Sequence, residues 1–215
     1  MPKKGMLTIK QFEKRYHDAV IVAIDEIGFS TGVHWIRGEN GSGKSTFFKS
    51  VAGLIPYHGT IQFNDGVSMN SDPVVFRRYV NYGEAEPFYP GFLTGYDLIQ
   101  FISKSKGVTR EQQTHYIEAF GLDTYMHTSC ETYSTGMLKK LSLAMAFLGR
   151  PRLIILDEPL ITLDNVSRDV LIDAMKARLK NEPITFLISS HQMIENDVLT
   201  IDGLYTIVNK TIVKN

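Results

Sequence analysis

The sequence has little of what several protein classes depend on. It contains one cysteine, Cys130, in 215 residues, which excludes an internal disulfide framework and a cysteine-based zinc site. So little cysteine suggests a reducing compartment. No apolar run approaches the length that crosses a bilayer, and the first ten residues, MPKKGMLTIK, lack the apolar region of a signal peptide. We therefore expect that any work at a membrane needs spanning helices from another chain.

An excess of charge of one sign is also absent. Lys plus Arg and Asp plus Glu both number 23, so the chain lacks the basic excess that nucleic-acid-binding proteins usually carry. We therefore expect no nucleic acid partner. Internal repeats and low-complexity segments are absent as well, and 215 residues suit one large α/β domain with a sizeable core.

What the sequence does contain is a phosphate-binding loop. Residues 38–46 read GENGSGKST and fit the pattern G-x-x-x-x-G-K-[ST]. Glycines let such a loop wrap closely around a triphosphate, so that successive N–H groups point inward at the anion. The pattern predicts that Lys44 reaches the β- and γ-phosphates and that the Ser45 hydroxyl binds Mg²⁺. The residues predicted to hold the nucleotide are Asn40, Gly41, Ser42, Gly43, Lys44, Ser45 and Thr46.

The segments on either side agree with a phosphate loop. Residues 33–37 (VHWIR) read as a buried strand, and residues 46–53 read as a helix that ends at a glycine. A helix that begins near Lys44 would aim its positive end at the same phosphates. The loop is therefore predicted to bind a nucleotide.

The rest of the chain alternates strands and helices apart from one stretch. Between residues 84 and 148 the pattern is helical, which we interpret as a helical insertion. Its amphipathic segments are 96–105, 110–120 and 136–148. A further helix is predicted over 166–179. Strands are predicted at 6–10 (an edge strand), 20–24, 60–63, the end of 74–82, 152–159, 184–191 and, as one or two short edge strands, 198–213.

Two carboxylates follow a buried strand. Residues 153–157 are four apolar residues and an aspartate, which places Asp157 at the carboxyl end of a central strand, where ligands bind in open α/β sheets. Asp157 is therefore the expected Mg²⁺ partner. Because adjacent side chains diverge near a strand end, Glu158 can polarise the attacking water separately. His191 also ends an apolar strand, and we predict that it contacts the γ-phosphate.

These ordered motifs resemble those of the ATP-binding cassette (ABC) ATPases over essentially the whole chain. The phosphate loop of that family matches residues 38–46, its LLLDEP strand is similar to residues 153–159, and its switch histidine matches His191. The resemblance implies that Asp164, in the sequence LITLD, lies at an interface between two protomers. It also implies that the Tyr16 ring stacks on adenine, a use that suits a flat amphipathic side chain.

The family's LSGGQ signature has a variant here, YSTGM at residues 133–137, in which Ser134 and Gly136 match. This form, followed by Lys139 and Lys140, looks like the branch that serves small two-component exporters. The resemblance implies that Ser134 and the helix after it donate hydrogen bonds to the γ-phosphate on a second protomer. We therefore expect a head-to-tail dimer, of two copies or with a homologue, that encloses two ATP molecules.

One residue of the family pattern is missing. The family has a glutamine before the helical insertion, and the matching stretch here, YGEAEP at 82–87, has Ala85 at that position. Another residue must therefore make the contact with Mg²⁺ and water that the glutamine makes in the family. Glu84 is the predicted substitute, although a carboxylate changes the charge of the site.

Together these features predict an α/β fold: a P-loop NTPase core with a mixed sheet, N-terminal antiparallel β elements and a helical insertion at about 84–148, all in one nucleotide-binding domain, 1–215. The expected function is an ATP-binding and ATP-hydrolysing subunit, acting with Mg²⁺, that powers an exporter. We expect it on the cytoplasmic face of the membrane, bound to an integral membrane subunit. A soluble ATPase of the same fold, for example in iron–sulfur assembly, stays open as the alternative.

An aromatic loop before the insertion is the predicted docking surface for that membrane subunit. Prolines and glycines separate its rings, and exposed aromatic clusters mark interaction sites. The alternative is that the rings pack the insertion against the core. The aromatic residues concerned are Phe88, Tyr89, Phe92, Tyr96 and Phe101.

Overall fold

A computed structural model describes residues 6–190 and 198–215. It is an α/β structure, as predicted, with two sheets and six α-helices among the described residues. In chain order the elements are β1 (Leu7–Tyr16), β2 (Ala19–Phe29), β3 (Gly32–Arg37), α1 (Lys44–Val51), β4 (His58–Phe63), α2 (Pro73–Tyr79), β5 (Val80–Gly83), α3 (Gly95–Lys106), α4 (Arg110–Ala119), α5 (Thr135–Ala146), β6 (Leu153–Asp157), α6 (Asn165–Asn181), β7 (Thr185–Ser189), β8 (Gly203–Val208) and β9 (Thr211–Lys214).

The first sheet is antiparallel, with the order β2-β1-β4. The prediction of a short edge strand at 6–10 is wrong, because β1 continues to Tyr16 and pairs on both sides. At Gln11 the backbone is left-handed (φ 48°), beside a register shift between β1 and β4. A bulge of this kind resets the alternation of side chains, and so Ile9 before it and Phe12 after it are both buried.

The second sheet is the larger one, with six strands. Its order is β5-β6-β7-β3-β8-β9, parallel except for β9, which pairs antiparallel with β8. Strands β6 and β7 are buried along their whole length, as expected for a parallel sheet covered on both faces. The C-terminal strands were predicted as edge strands, which holds for β9 and is wrong for β8, since β8 lies between β3 and β9.

Successive residues of the parallel strands enter two separate cores. Trp35, Ile154 and Phe186 pack with the helices of the second half, whereas Ile36 and Ile155 pack with α1 and the three-stranded sheet. Side chains alternate across a strand, so each strand contributes to both cores. The six-stranded sheet is therefore the middle layer.

Helices α3, α4 and α5 confirm the helical pattern predicted between 84 and 148. Thr94 and Asp97 form a capping box at the start of α3, and Gly107 ends that helix with φ 64°, as the capping rules favour. Residues 74–79 belong to α2, which begins at Pro73 after the N-cap Asp72. The strand predicted within 74–82 is therefore only β5. Within 6–190 and 198–215, no helix is both long and apolar enough to cross a bilayer.

Candidate nucleotide site

A cavity of about 640 Å³ opens at the carboxyl edge of the parallel strands. It brings together the phosphate loop after β3, the end of β6 and the turn after β5, which lie far apart in the sequence. Ligands of open α/β sheets bind at this edge. The lining residues are Tyr16, Ile21, Asn40, Gly41, Gly43, Lys44, Ser45, Thr46, Ala85, Glu86, Asp157, Glu158 and Ile161.

The phosphate loop has the conformation that its glycines permit. Gly43 is the N-cap of α1 with φ 100°, and a Cβ atom there would lie 2.7 Å from Val22 Cγ2. Glycine therefore fits on two grounds, the left-handed backbone and the space. Helix α1 begins at Lys44 as predicted, and the first N–H groups of a helix lack partners within the helix. The loop thus presents donors and the positive end of a helix dipole to the cavity.

Lys44 is buried, and its ammonium lies against the loop that precedes it. Lys44 Nζ donates to Gly38 O at 2.7 Å and to Glu39 O at 3.0 Å. Ser42, in contrast, lines a neighbouring cavity beside β8 and the turn that follows it, and it is absent from the lining of the nucleotide cavity. The prediction that Ser42 holds the nucleotide stays a prediction.

The Asp157 carboxylate is buried and held on both oxygens. The Ser189 hydroxyl donates to Oδ1 at 2.6 Å, and the Tyr82 hydroxyl donates to Oδ2 at 3.0 Å. Burial raises the pKa of Tyr82, and the Asp157 charge raises it further. Tyr82 therefore stays a hydrogen-bond donor at neutral pH. Two donors therefore set the orientation of the Asp157 carboxylate in the cavity lining.

Glu158 lines the same cavity because the backbone leaves the strand conformation there. Adjacent residues of a strand point to opposite faces, but Glu158 has φ 45°. This left-handed conformation is uncommon for a residue with a Cβ atom, and it costs on the order of 1 kcal/mol or more. The Glu158 amide is held by Ser189, with bonds of 3.0 Å to its carbonyl and 3.1 Å to its hydroxyl.

The turn after β5 contributes Ala85 and Glu86 to the cavity lining, and Glu84 is absent from that lining. The backbone of Glu84 is held from α5 instead, since its amide donates to Ser142 Oγ at 3.1 Å. Burial raises the pKa of the Glu84 carboxyl, and the charge of Asp157 raises it too, against the opposing effect of Lys49 and Lys139. The predicted metal role of Glu84 stays a prediction.

Tyr16 lies at one end of the cavity, where its ring is half exposed. The Lys14 ammonium is 4.5 Å from the centroid of that ring and donates to Pro56 O at 2.8 Å. A cation over a ring is attracted to its face, so Lys14 holds the ring from one side. Ile21 and Ile161 add apolar lining to the same cavity.

Three other predicted residues lie outside this cavity, around the start of α5. Ser134 is the N-cap of α5, where its Oγ accepts from Met137 N at 3.2 Å. A Cβ atom on Gly136 would lie 3.3 Å from Thr162 O, so the glycine allows the first turn of α5 to approach the loop before α6 closely. Asp164 caps α6 and pairs with Lys140 at 2.8 Å.

His191 lies outside the described residues, so the structure does not test its predicted role. Sequence reasoning missed three residues that organise the site, namely Tyr82, Ser189 and Lys139. Ser189 had the clearest signal, because it is a polar residue at the end of an apolar strand, as Asp157 is. Tyr82 begins the stretch YGEAEP and Lys139 follows YSTGM, but neither pattern predicted a contact with Asp157.

The chain is similar to known ATP-binding proteins. A family model described as "ABC transporter" matches residues 29–161. The uncharacterized ABC transporter ATP-binding protein YhcH of Bacillus subtilis is 30% identical over 200 residues, which are 91% of this chain and 65% of YhcH. The lantibiotic transport ATP-binding protein SrtF of Streptococcus pyogenes is 29% identical over 192 residues, 88% of this chain and 82% of SrtF.

The fold is shared with solved structures. The ATP binding subunit of an ABC transporter superposes with a TM-score of 0.85 at 23% identity, covering 98% of this chain and 89% of the other. A dimeric ATP-binding cassette in a post-hydrolysis state, bound to ADP and Pi, superposes with a TM-score of 0.82 at 16% identity, covering 98% of both chains.

Several curated relatives are longer than this chain. It spans 65% of YhcH and 12% of ATP-binding cassette sub-family A member 17 of Mus musculus. The family model, however, matches more than half of the chain, and it includes the phosphate loop and the acidic end of β6. On that match, and with the nucleotide site assembled at the carboxyl edge of the sheet, this chain belongs to the ABC transporter family.

Proposed function

We propose that this chain binds and hydrolyses ATP to power a membrane transporter, as one nucleotide-binding domain over residues 1–215 with a helical insertion. The observation that carries the proposal is the common cavity of Lys44, Ser45, Asp157 and Glu158. A phosphate loop alone supports only binding. A carboxylate for the metal and a second one for the water, in the same cavity, support hydrolysis.

The oxygen donors at this cavity fit Mg²⁺, which takes oxygen ligands and is usually held by one or two carboxylates together with substrate phosphates. Ser45 and Asp157 would hold it, and when bound it would neutralise charge on the phosphate oxygens. Among residues 6–190 and 198–215, no group of three or more His, Cys, Asp or Glu side chains is placed to hold a metal. The nucleotide would therefore complete the metal site.

The roles of the remaining residues follow from their positions. The Lys44 ammonium would move from the loop carbonyls to the β- and γ-phosphate oxygens, which are stronger acceptors because they are charged. Glu158 would accept a proton from the attacking water. The Tyr16 ring, backed by Lys14, would stack on adenine, and His191 is proposed as a further γ-phosphate contact.

A second protomer would contribute Ser134, Gly136 and Asp164 to the nucleotide. The Ser134 hydroxyl accepts a bond from its own helix but keeps its proton, so it can donate to a phosphate oxygen. Asp164 is fixed by Lys140 and by Ser167 N, at 2.7 Å, and these bonds lower its pKa. The dimeric state of one solved relative bound to ADP and Pi supports this arrangement.

The partner we propose is an integral membrane subunit that holds this chain at the cytoplasmic face. Phe88 and Phe92 are 87% and 84% exposed, more than rings that pack a core. Phe101 and Tyr96 are exposed as well, whereas Tyr89 is partly buried and packs against the core. Export is the direction we propose, because the relatives include lantibiotic transport and linearmycin resistance ATP-binding proteins.

Two substitutions test the proposed function directly. Lys44→Ala should abolish ATP binding, because the loop loses its positive side chain. Glu158→Gln should bind ATP with near-normal affinity and lose hydrolysis, leaving an ATP-bound dimer that size-exclusion chromatography detects. Hydrolysis is measured by phosphate release, and ATP binding is measured with a fluorescent ATP analogue. Normal hydrolysis by Glu158→Gln would show that the assignment of the base is wrong.

A further inference from the structure

Lys139 carries an ammonium group inside the protein. Its side chain lies in α5 and is 1% exposed, so it is among the largest fully buried side chains. A buried ammonium is destabilising unless its protons all find acceptors. Each of its three protons has one, because Nζ donates to Glu84 O at 2.6 Å, to Ala85 O at 3.0 Å and to Asp157 O at 3.1 Å.

The three acceptors belong to two separate parts of the cavity wall. Glu84 O and Ala85 O are in the turn that contributes Ala85 and Glu86 to the lining, and Asp157 O is at the end of β6, directly before Glu158. Ser142, one turn further along α5, accepts from the Glu84 amide. Helix α5 therefore holds the turn on both sides of Glu84.

The charge of Lys139 also matters at this place. Burial has the largest effect on the pKa of Lys139 and lowers it to about 8, while the charges of four carboxylates, those of Asp157, Glu158, Glu84 and Glu86, oppose that shift. Three of these carboxylates, those of Asp157, Glu158 and Glu86, line the cavity. Their charge opposes an anionic ligand there, and one buried cation offsets part of that charge. The amine thus contributes both hydrogen bonds and charge to the wall of the cavity.

The side chain at position 85 is a methyl group, which makes no polar contact across the cavity. The observed contacts of α5 with this turn are to its backbone: the Lys139 ammonium donates to the carbonyls of Glu84 and Ala85, and Ser142 accepts from the Glu84 amide. We propose that Lys139 is a positioning residue, which fixes turn 84–86 and the end of β6 so that α5 and the cavity wall form one unit. The inference rests on the proposed ATP hydrolysis and assigns to that site a residue outside its lining.

A purely structural role is the competing explanation, and the chain offers a matched control. Lys106, at the end of α3, donates to Arg77 O and, at 2.8 Å, to Val80 O. Burial lowers its pKa to about 8 as well. The chemistry is similar, a partly buried amine on backbone carbonyls, but neither carbonyl belongs to a residue that lines the nucleotide cavity.

The experiment compares Lys139→Met, Lys139→Arg and Lys106→Met in the full chain. Lys139→Met should lower kcat about tenfold or more, because small misplacements at a site cost that much, and should raise the Mg²⁺ concentration for half-maximal hydrolysis. Binding of a fluorescent ATP analogue without Mg²⁺ should change less than about twofold, since the phosphate loop is untouched. Lys106→Met should lower Tm and leave kcat within about twofold. Lys139→Arg should restore part of the loss.

Hydrogen exchange without nucleotide gives a readout that does not need activity. The amides of residues 84–86, 88 and 89 should exchange faster in Lys139→Met than in the wild type, and Lys106→Met should leave them unchanged. Ser142→Ala, which removes the second α5 contact of the turn, should show a smaller increase at the same amides and serves if Lys139→Met does not fold.

Two results would overturn the inference. The first is a Lys139→Met variant with a lowered Tm but with the kcat, Mg²⁺ dependence and amide exchange of the wild type. The second is a loss of kcat in Lys106→Met as large as that in Lys139→Met. A wild-type chain that does not hydrolyse ATP would instead contradict the proposed function. In that case, unchanged hydrogen exchange of the amides of this turn in Lys139→Met would still contradict the positioning role.

Discussion

Ser189 and Asp157 lie opposite each other on neighbouring parallel strands, and the Ser189 hydroxyl donates to Asp157 Oδ1 at 2.6 Å. The same hydroxyl accepts from the Glu158 amide at 3.1 Å. One small side chain thus orients the carboxylate proposed for Mg²⁺ and the backbone of the proposed base. The proposed roles of Asp157 and Glu158, which are neighbours in the sequence, both depend on Ser189 of another strand.

Removing that hydroxyl should weaken the metal site. In Ser189→Ala, Asp157 loses the bond to Oδ1 and keeps the Tyr82 bond to Oδ2, so the Mg²⁺ concentration for half-maximal hydrolysis should rise about threefold to tenfold. The free energy of unfolding should fall by about 1–3 kcal/mol, because buried polar groups lose a partner. Thr185→Val is the control, since it removes a buried hydroxyl of β7 that bonds Ser30 O at 3.0 Å, away from the cavity. An equal rise in Mg²⁺ requirement in both variants would refute this role of Ser189.

The turn after β5 offers two carboxylates for the contact that a glutamine makes in the family. If Glu84 supplies it, Glu84→Ala should raise the Mg²⁺ requirement, and Glu86→Ala should not. If Glu86, which lines the cavity, supplies it, Glu86→Ala should raise the Mg²⁺ requirement and Glu84→Ala should not. Ala85→Gln should leave hydrolysis intact or increase it. Titration of Mg²⁺ in a hydrolysis assay separates these outcomes, and an unchanged requirement in Glu84→Ala would remove that residue from the metal site.

Stability should depend on pH through Glu84. Its folded-state pKa is raised above the ordinary 4.5, chiefly by burial, so above pH 4.5 the folded state binds more protons than the unfolded state. Stability contributed by this group is therefore lost as the pH rises from 4.5 through the folded pKa. Glu84→Gln, which stays neutral, should have a higher Tm than the wild type at pH 7. The difference should shrink toward pH 4.5 in thermal melts, and a wild type favoured at pH 7 would contradict it.

The exposed rings should bind the membrane partner. Phe88→Ala with Phe92→Ala should leave Tm and basal ATPase nearly unchanged, because both rings are outside the cores, while recovery with the membrane fraction falls. Phe120→Ala, a buried ring of the second half, is the matched control and should lower Tm by several degrees. A lower Tm of the double variant with unchanged recovery in the membrane fraction would show that the rings pack the core. Wild-type protein absent from the membrane fraction would favour the soluble ATPase.

Local features of this protein follow from its sequence alone. The phosphate loop, the starts of α1, α3 and α6, and the runs of buried strand depend on residues within a few positions of each other. Glycine at position 43 permits φ 100°, and Thr94 with Asp97 caps α3. Such preferences need no distant partner, so the predicted helices of 84–148 and the nucleotide loop match the structure closely.

Only the tertiary structure decided which elements and residues meet. Whether β1 and β8 lie at an edge depends on pairing partners elsewhere in the chain, and these two were predicted wrongly. Tyr82 contacts Asp157 across 75 positions, and Lys139 contacts Ala85 across 54. Contacts over such separations are set by how the helices pack on the sheet, and local periodicity carries no information about them. For that reason the sequence identified the residues that line the cavity better than those that hold the lining in place.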